Sequence, residues 1–135
     1  MKIRKSVRGD KEQVLRLVRE FYFKHSPKTV KTWESFFNKL MKLTLVIEKD
    51  KKLIGFVTYS LKKNSLYIDD LYIRRAYRKK GLGTKLINKI NNIRKKLKRK
   101  YLVVNVRKKD EGAFDFYKTQ KFKLWKRGDS LKLRR

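Results

Sequence analysis

The chain has 135 residues, with 41 Lys or Arg against 12 Asp or Glu, so its formal net charge at pH 7 is +29. This length suits one domain, expected to span residues 1–135, and 40% hydrophobic and 13% aromatic residues exclude a disordered chain. The absence of Cys excludes disulfides, thiolate nucleophiles and cysteine-ligated zinc, and a single His25 excludes a multi-histidine metal site.

Composition also bears on location and partners. No apolar run reaches the ~18 residues of a transmembrane helix, and the opening MKIRKSVRGDKEQ lacks the apolar centre of a secretory signal. We therefore expect a cytoplasmic protein without membrane association. The cationic surface attracts polyanions over about 8–10 Å at physiological salt. Nucleic acid, a ribosome or an acidic protein is thus an expected partner, and a Lys-rich compositional bias is the alternative reading.

Hydrophobic spacing predicts the elements of the first 43 residues. A short strand in MKIRKS is followed by Asp10, which is placed to cap a helix. The apolar face of that helix carries Val14, Leu15, Val18, Phe21 and Tyr22. Ser26-Pro27 predicts the start of a second helix, with His25 in the preceding loop. An aromatic stripe then continues at helical spacing and predicts core or a groove wall; it comprises Val30, Trp33, Phe36, Phe37, Leu40 and Met41.

The following segment changes to strand periodicity. LTLVIEKDKKLIGFVTYSLKKNSLYIDDLYI predicts three strands joined by polar turns at 49–52 and 62–65, hence an antiparallel meander. A helix is predicted from Gly83 to about Lys98, with Leu86, Ile87, Ile90, Ile93 and Leu97 as its apolar seam. Its basic outer face is either solvated or phosphate-binding. YLVVNV predicts a strand that a right-handed crossover makes parallel to the previous one. EGAFDFYKTQ predicts a helix, and FKLWKRGDSLKLRR a closing hairpin. The elements together predict an α/β sheet, antiparallel first and parallel later.

The stretch Arg78-Lys79-Lys80-Gly81-Leu82-Gly83 joins a predicted strand to a predicted helix. Backbone N–H groups at such a glycine turn converge on an anion, and the helix N-terminus adds to this attraction. Two familiar phosphate motifs do not fit. The dinucleotide fingerprint requires glycine where Leu86 stands, and the P-loop requires Gly-Lys-Ser/Thr where the chain has Gly83-Thr84-Lys85.

Residues 78–83 instead resemble the acyl-CoA pyrophosphate loop of the GNAT superfamily, Q/R-x-x-G-x-G/A. The segment KLIGFVTYSLKKNSLYIDDLYIRRAYRKKGLGTKLI is similar to the central block of that family over its whole length. VNVRKKDEGAFDFYKTQKF resembles the closing block and IRKSVRGD the opening, so the resemblance covers nearly the whole chain. The sequence departs at Asp110, where the family usually has Asn, at Lys121, where it has Gly, and at Arg75, where Pro is common.

The resemblance implies a single-domain GNAT-like fold. Its mixed sheet would have about six to seven strands, antiparallel in the first half, with parallel fourth and fifth strands that splay, and about four flanking helices. It implies acetyl-CoA as cosubstrate, with no metal, and pantetheine amides that pair with the fourth strand. The implied cofactor-binding residues are Leu71, Tyr72, Ile73, Arg78, Lys79, Lys80, Gly81, Leu82, Gly83 and Thr84, with Lys85 as an addition.

The resemblance also implies direct attack of an amine on the acetyl carbonyl, with Tyr117 as general acid for the departing thiolate. Asn105 occupies a position where relatives that acetylate protein N-termini often carry Glu. Asp69 and Asp70 alternate along the fourth strand and point to opposite faces. We favour Asp70, then Asp69, as a base acting through water, with Asn105 orienting that water. Glu20 and Glu34 are weaker candidates.

Three readings of function remain at this level. The leading one is an N-acetyltransferase acting on a primary amine, either a protein or peptide N-terminus or a lysine; a polyamine acceptor conflicts with the charge of +29. The alternative is a catalytically weak GNAT-like scaffold that binds nucleic acid or a ribosome through its basic surface. The third is transfer of a longer acyl group. The sequence leaves open a monomer or a homodimer.

Overall fold

The computed structural model describes residues 1–22 and 27–135. The helices and strands in chain order are β1 (Lys2–Lys5), α1 (Lys11–Tyr22), α2 (Pro27–Ser35), α3 (Phe37–Leu40), β2 (Thr44–Lys49), β3 (Lys52–Lys62), β4 (Ser65–Ile73), α4 (Leu82–Lys96), β5 (Tyr101–Val106), α5 (Glu111–Thr119), β6 (Lys123–Arg127) and β7 (Leu131–Arg134). The predictions for His25 and Ser26 fall outside the described residues.

The strands form one seven-stranded sheet in the order β1-β2-β3-β4-β5-β7-β6. β2 pairs antiparallel with β1 and β3, β4 pairs parallel with β5, and β7 pairs antiparallel with β5 and β6. The β2–β3 hairpin closes through Asp50 and Lys51, whose φ angles of 50° and 64° are those of a tight two-residue turn. The predicted fold class is therefore confirmed, with five α-helices within residues 1–22 and 27–135 where about four were expected.

Backbone contacts divide the chain into two compact units, which we describe separately. The first unit comprises Met1–Thr58 and Asp70–Gly83, and the second comprises Tyr59–Asp69 and Thr84–Arg135. The expectation of a single domain over residues 1–135 stays a prediction. None of the helices within residues 1–22 and 27–135 combines the length and hydropathy needed to cross a bilayer.

The core of the first unit lies under α1. Val14, Leu17 and Val18 recur on one helical face and are fully buried. They pack with Phe56 of β3 and with Trp33, whose ring meets Phe56 edge-on at 5.8 Å. The helical spacing thus correctly predicts that Val14, Leu15 and Val18 are buried; it did not include Leu17, and the predicted Phe21 and Tyr22 are half-buried.

The aromatic stripe does not form one continuous helix. At Phe36 the backbone leaves the helical region (φ −116°, ψ 25°), so α2 ends at Ser35 and α3 begins at Phe37. Phe37 is buried, whereas Phe36 is 58% exposed. Phe36 therefore does not belong to the core, and its alternative place in a groove wall stays a prediction.

In the second unit, α4 buries Leu86, Ile87 and Ile90 as predicted. The helix runs from Leu82 to Lys96, which is shorter at its C-terminus than expected. Leu97 lies beyond the helix end and is 43% exposed, so its assignment to the apolar seam is wrong. α5 begins after Asp110, whose carboxylate accepts a hydrogen bond of 2.9 Å from the Ala113 N–H and so caps the helix.

Candidate cofactor-binding and catalytic residues

The second half of β4 is held against β3 by an unusually close approach at Gly55. A Cβ placed on Gly55 would lie 2.8 Å from the carbonyl oxygen of Tyr72, and 3.2 Å from side-chain carbons of Ile47 and Ile73. No side chain fits at that separation, so glycine is required for the backbone of β4 to lie where it does. The sequence expectation placed Leu71, Tyr72 and Ile73 at this part of the strand, and the structure does so.

The parallel pairing of β4 with β5 runs from Ser65↔Tyr101 to Ile68↔Val104. β4 itself continues to Ile73. The pairing therefore covers only the first four residues of β4, and Leu71, Tyr72 and Ile73 lie beyond its last pair.

A loop with an uncommon backbone joins β4 to α4. After a short 3-10 turn at Arg75–Tyr77, both Lys79 (φ 60°) and Gly81 (φ 81°) have positive φ. Such alternation turns successive N–H groups toward one side of the chain and forms a concave anion site. α4 begins directly afterwards at Leu82. The first N–H groups of the helix have no partner within it and contribute a partial positive charge.

The two glycines of the loop differ in role. Gly81 has open space around its Cβ position, so only its positive φ restricts what can replace it. Gly83 is the second residue of α4 and lies inside the helix rather than in the turn.

The side chains of the loop hold it to β4 and leave cations exposed. Arg78 Nε donates a hydrogen bond of 2.7 Å to the carbonyl of Ile73, and its guanidinium lies 5.5 Å from the Tyr72 ring. Lys79 and Lys80 are exposed. At the start of α4, Thr84 Oγ1 accepts a hydrogen bond of 3.0 Å from Gln120 Nε2, so the hydroxyl hydrogen of Thr84 remains for another acceptor.

Asp70 is held by a residue of α1. Its carboxylate accepts a hydrogen bond from the Tyr22 hydroxyl, within the first unit. The sequence placed Tyr22 on the apolar face of α1, and nothing in the spacing indicated that its hydroxyl meets a carboxylate 48 residues away.

Asp69, in the second unit, accepts a hydrogen bond of 3.0 Å from Ser60 Oγ. Desolvation raises the pKa of Asp69 above its ordinary value, opposed by the Ser60 hydrogen bond and by the charge of Lys62. The two weaker base candidates form ion pairs in the first unit. Glu20 pairs with Arg74 at 3.1 Å, and Glu34 pairs with Arg19 at 3.0 Å.

The remaining candidates lie in the second unit. Tyr117 on α5 is 7% exposed, and its ring meets those of Phe116 and Phe122 edge-on at 5.1 and 5.3 Å. Asn105 is exposed on β5, opposite Lys132 of β7. Neither environment excludes the role given to these residues by the sequence, and both roles stay predictions.

Comparison with known proteins decides the family. The model described as "Acetyltransferase (GNAT) family" matches residues 11–122. The chain belongs to the GNAT acetyltransferase family. The GNAT resemblance and the acetyltransferase class inferred from the sequence are thereby confirmed. No curated protein matches the chain significantly.

Solved GNAT structures share the fold along the whole chain. The PaiA N-acetyltransferase of Thermoplasma acidophilum, solved in complex with coenzyme A, superposes with a TM-score of 0.81 at 22% identity, covering 99% of this chain and 97% of that one. Ard1 of Thermoplasma volcanium gives 0.81 at 17% identity, with 99% and 95% covered. The ribosomal-protein-alanine N-acetyltransferase of Brucella melitensis gives 0.82 at 12% identity, with 100% and 99% covered.

Proposed function

We propose that this GNAT acetyltransferase uses acetyl-CoA and transfers its acetyl group to a primary amine of a protein or peptide, either at the N-terminus or on a lysine. The proposal rests mainly on the backbone conformation of residues 78–83. Positive φ at Lys79 and Gly81, immediately before the start of α4, matches what a diphosphate requires. The Thermoplasma acidophilum PaiA N-acetyltransferase, which shares the fold, was solved in complex with coenzyme A, and this supports coenzyme A as the ligand of the proposed reaction.

The residues of β4 fit the rest of the cofactor. We assign Leu71, Tyr72 and Ile73 to the pantetheine arm, bound through their backbone as an added strand would be. Gly55 supports this role because it fixes the backbone at Tyr72. Around the diphosphate, Lys79, Lys80, Leu82, Gly83 and Thr84 supply amides and the positive field. The guanidinium of Arg78 is anchored to Ile73 by its Nε and presents its terminal nitrogens for phosphate oxygens.

The chemistry assigned to the chain is a direct transfer. The amine nitrogen forms a bond to the acetyl carbon, the carbon–sulfur bond breaks, and the thiolate takes a proton. We assign that proton to the Tyr117 hydroxyl. The proton lost by the amine passes through water to Asp70, and the Tyr22 hydroxyl fixes the orientation of that carboxylate. Asn105, which has no basic atom at neutral pH, is assigned to orienting water.

Acceptor amines differ in how much help they need to lose a proton before they attack the acetyl carbonyl. An α-amine has an ordinary pKa of about 7.7–8.0 and is partly neutral near pH 7, whereas a lysine amine near 10.4 must be deprotonated. The Brucella melitensis structure, which is named as a ribosomal-protein-alanine N-acetyltransferase, supports a protein acceptor here. The charge of +29 repels a polyamine.

The test of the loop assignment compares two substitutions of Gly81. Gly81→Val is incompatible with a φ of 81°, whereas Gly81→Asn tolerates it at little cost. We expect Gly81→Val to weaken coenzyme A binding about tenfold or more, measured by titration calorimetry, and Gly81→Asn to stay within about threefold of the unmodified chain. Equal affinity in all three proteins would refute the assignment.

The test of the acceptor measures free thiol released from acetyl-CoA with peptides that carry either a free N-terminus or only a lysine amine. Spermidine serves as the polycationic comparison. Thiol release with peptides and not with spermidine supports the proposal. No release with any amine, in a protein that binds coenzyme A normally, favours the scaffold reading instead.

A further inference from the structure

We propose that the second unit carries a binding site for single-stranded nucleic acid, built from aromatic rings and cations on one face of strands β5, β7 and β6. We call it the Trp125 surface and define it by Tyr101, Trp125, Lys132 and Arg134; the ring of Tyr67 on the neighbouring strand β4 is buried (8% exposed) and lies beside Lys132. The proposal is independent of acetyl transfer.

The strand register brings these side chains to one face. Ser65 pairs with Tyr101 and Tyr67 pairs with Val103 in the β4–β5 ladder. Val103 pairs with Arg134 in the β5–β7 ladder. Paired residues share a face of the sheet. The β6–β7 register shifts between Leu124 and Lys126, so Trp125 lies in the irregularity. Such a bulge redirects a side chain at a sheet edge.

The rings form a platform with cations already lying against it. The rings of Tyr101 and Trp125 are stacked at 6.5 Å with an interplanar angle of 23°. The Arg134 guanidinium lies 4.3 Å from the Tyr101 ring and 4.4 Å from the Trp125 ring. Lys132 Nζ lies 5.4 Å from the Tyr67 ring. Trp125 is 37% exposed, so part of its ring is accessible to a stacking partner.

Cations dominate the charge around this platform, although Asp129 lies in the turn between β6 and β7 and Asp69 lies on β4. Strands β5, β6 and β7 contain no acidic residue. An open groove of about 480 Å³ runs over Tyr101, Leu124 and Trp125 and is bordered by Lys121, Lys123 and Arg135. Arg134 therefore lies on aromatic rings, with no acidic residue on these three strands to neutralise it.

A single strand of nucleic acid can contact both the rings and the cations of the Trp125 surface. Its unpaired bases stack on exposed rings, and its phosphates accept hydrogen bonds from arginine and lysine. In a duplex the bases are already stacked and paired, so the Trp125 ring gains nothing. An acidic peptide neutralises the cations and leaves the ring platform without a partner. We therefore choose single-stranded nucleic acid over both.

The experiment measures binding of fluorescein-labelled oligo(dT) and oligo(rU) to the full chain by anisotropy across a salt series. A blunt duplex of equal length and polyglutamate serve as competitors. Binding is also followed by protein fluorescence. The chain has two Trp residues, and Trp33 is only 3% exposed, so quenching on binding reports Trp125.

Two matched pairs of variants separate stacking from charge. Trp125→Ala leaves the charge unchanged and is expected to weaken oligo(dT) binding about tenfold, abolish the quenching and preserve acetyl transfer, while Trp125→Phe retains most of the affinity. Arg134→Gln is expected to lower both the affinity and the salt slope, the latter by about one. Arg16→Gln, at an exposed position of α1 in the first unit, removes the same charge and is expected to change little.

Several results would overturn the site. One is that Trp125→Ala binds oligo(dT) as tightly as the unmodified chain does. Another is that the duplex binds as tightly as the single strand. The third is that polyglutamate of matched charge displaces the bound oligonucleotide. Each would reduce the Trp125 surface to general polyanion attraction. Circular dichroism of Trp125→Ala excludes unfolding as the cause of any loss.

Discussion

Gly55→Ala tests whether the close approach at β3 positions the part of β4 to which we assign cofactor binding. The added Cβ would lie 2.8 Å from the Tyr72 carbonyl oxygen, about 0.5 Å inside ordinary contact, and 3.2 Å from both Ile47 and Ile73. The nearest atom belongs to the backbone, so a side-chain rotation cannot relieve the overlap and β4 must shift. Overpacking of this kind costs about 1–3 kcal/mol of the free energy of unfolding. For a chain of this length, that lowers Tm by roughly 3–12 °C.

The same shift has a functional consequence, because Tyr72 belongs to the strand assigned to the pantetheine arm. We expect coenzyme A to bind about two- to tenfold more weakly, which corresponds to one impaired backbone hydrogen bond. Thermal unfolding and titration calorimetry measure the two effects separately. Gly9→Ala is the matched control: a Cβ there has no neighbour within 4 Å, so stability and affinity should both be unchanged.

Two outcomes contradict this reasoning in different ways. If Gly55→Ala unfolds at the temperature of Gly9→Ala, the overlap at Tyr72 does not require the backbone to move. If Tm falls while coenzyme A affinity is unchanged, the packing argument holds and the assignment of β4 to the cofactor is wrong.

Two further substitutions address the proton donor and the acid sensitivity of the fold. Tyr117→Phe keeps the ring packed against Phe122, so we expect turnover to fall about 10²-fold with coenzyme A affinity unchanged; parallel loss of both in steady-state and binding assays would place the ring in packing alone. Hydrogen bonds from Arg4 hold the pKa of Asp10 below its ordinary value. The pair therefore stabilises the folded state fully at pH values above the ordinary pKa of an aspartate, and this stabilisation is lost as the pH falls through the lowered pKa. Asp10→Asn should therefore cost about 2–4 kcal/mol in denaturant unfolding at pH 7 and progressively less below about pH 4, and a difference independent of pH would contradict it.

The sequence predicted the elements best where local chemistry determines them. Short apolar runs bounded by polar turns in LTLVIEKDKKLIGFVTYSLKKNSLYIDDLYI give three strands at their observed places, and β2 and β3 are buried along most of their length. The loop at residues 78–83 was predicted from glycine spacing and context, and the structure shows positive φ at Gly81. Nothing in the sequence indicated the positive φ at Lys79, because lysine has no preference for that conformation.

The structure differs from the helical spacing of apolar residues where tertiary packing determines the course of the backbone. Phe36 and Leu97 both fit helical periodicity, yet Phe36 lies at a break and Leu97 lies beyond the end of α4. Periodicity records which residues are apolar and does not record where the backbone turns. The contact between Tyr22 and Asp70 joins residues 48 positions apart and was invisible for the same reason. The need for glycine at position 55 appears only once Tyr72 lies beside it.

The arginines of the two units have different partners. Within the described residues, the ion pairs formed by Arg4, Arg19 and Arg74 all lie in the first unit, where glutamate or aspartate satisfies each guanidinium. Arg134 lies instead on the rings of Tyr101 and Trp125, on strands without an acidic residue. A bias toward cations accounts for solvated lysines and for guanidinium groups without a carboxylate, but it does not account for a half-exposed tryptophan that contacts a guanidinium. That combination is what a phosphate joined to a stacked base would complete, which is why Trp125→Ala, a change that removes no charge, is the decisive variant.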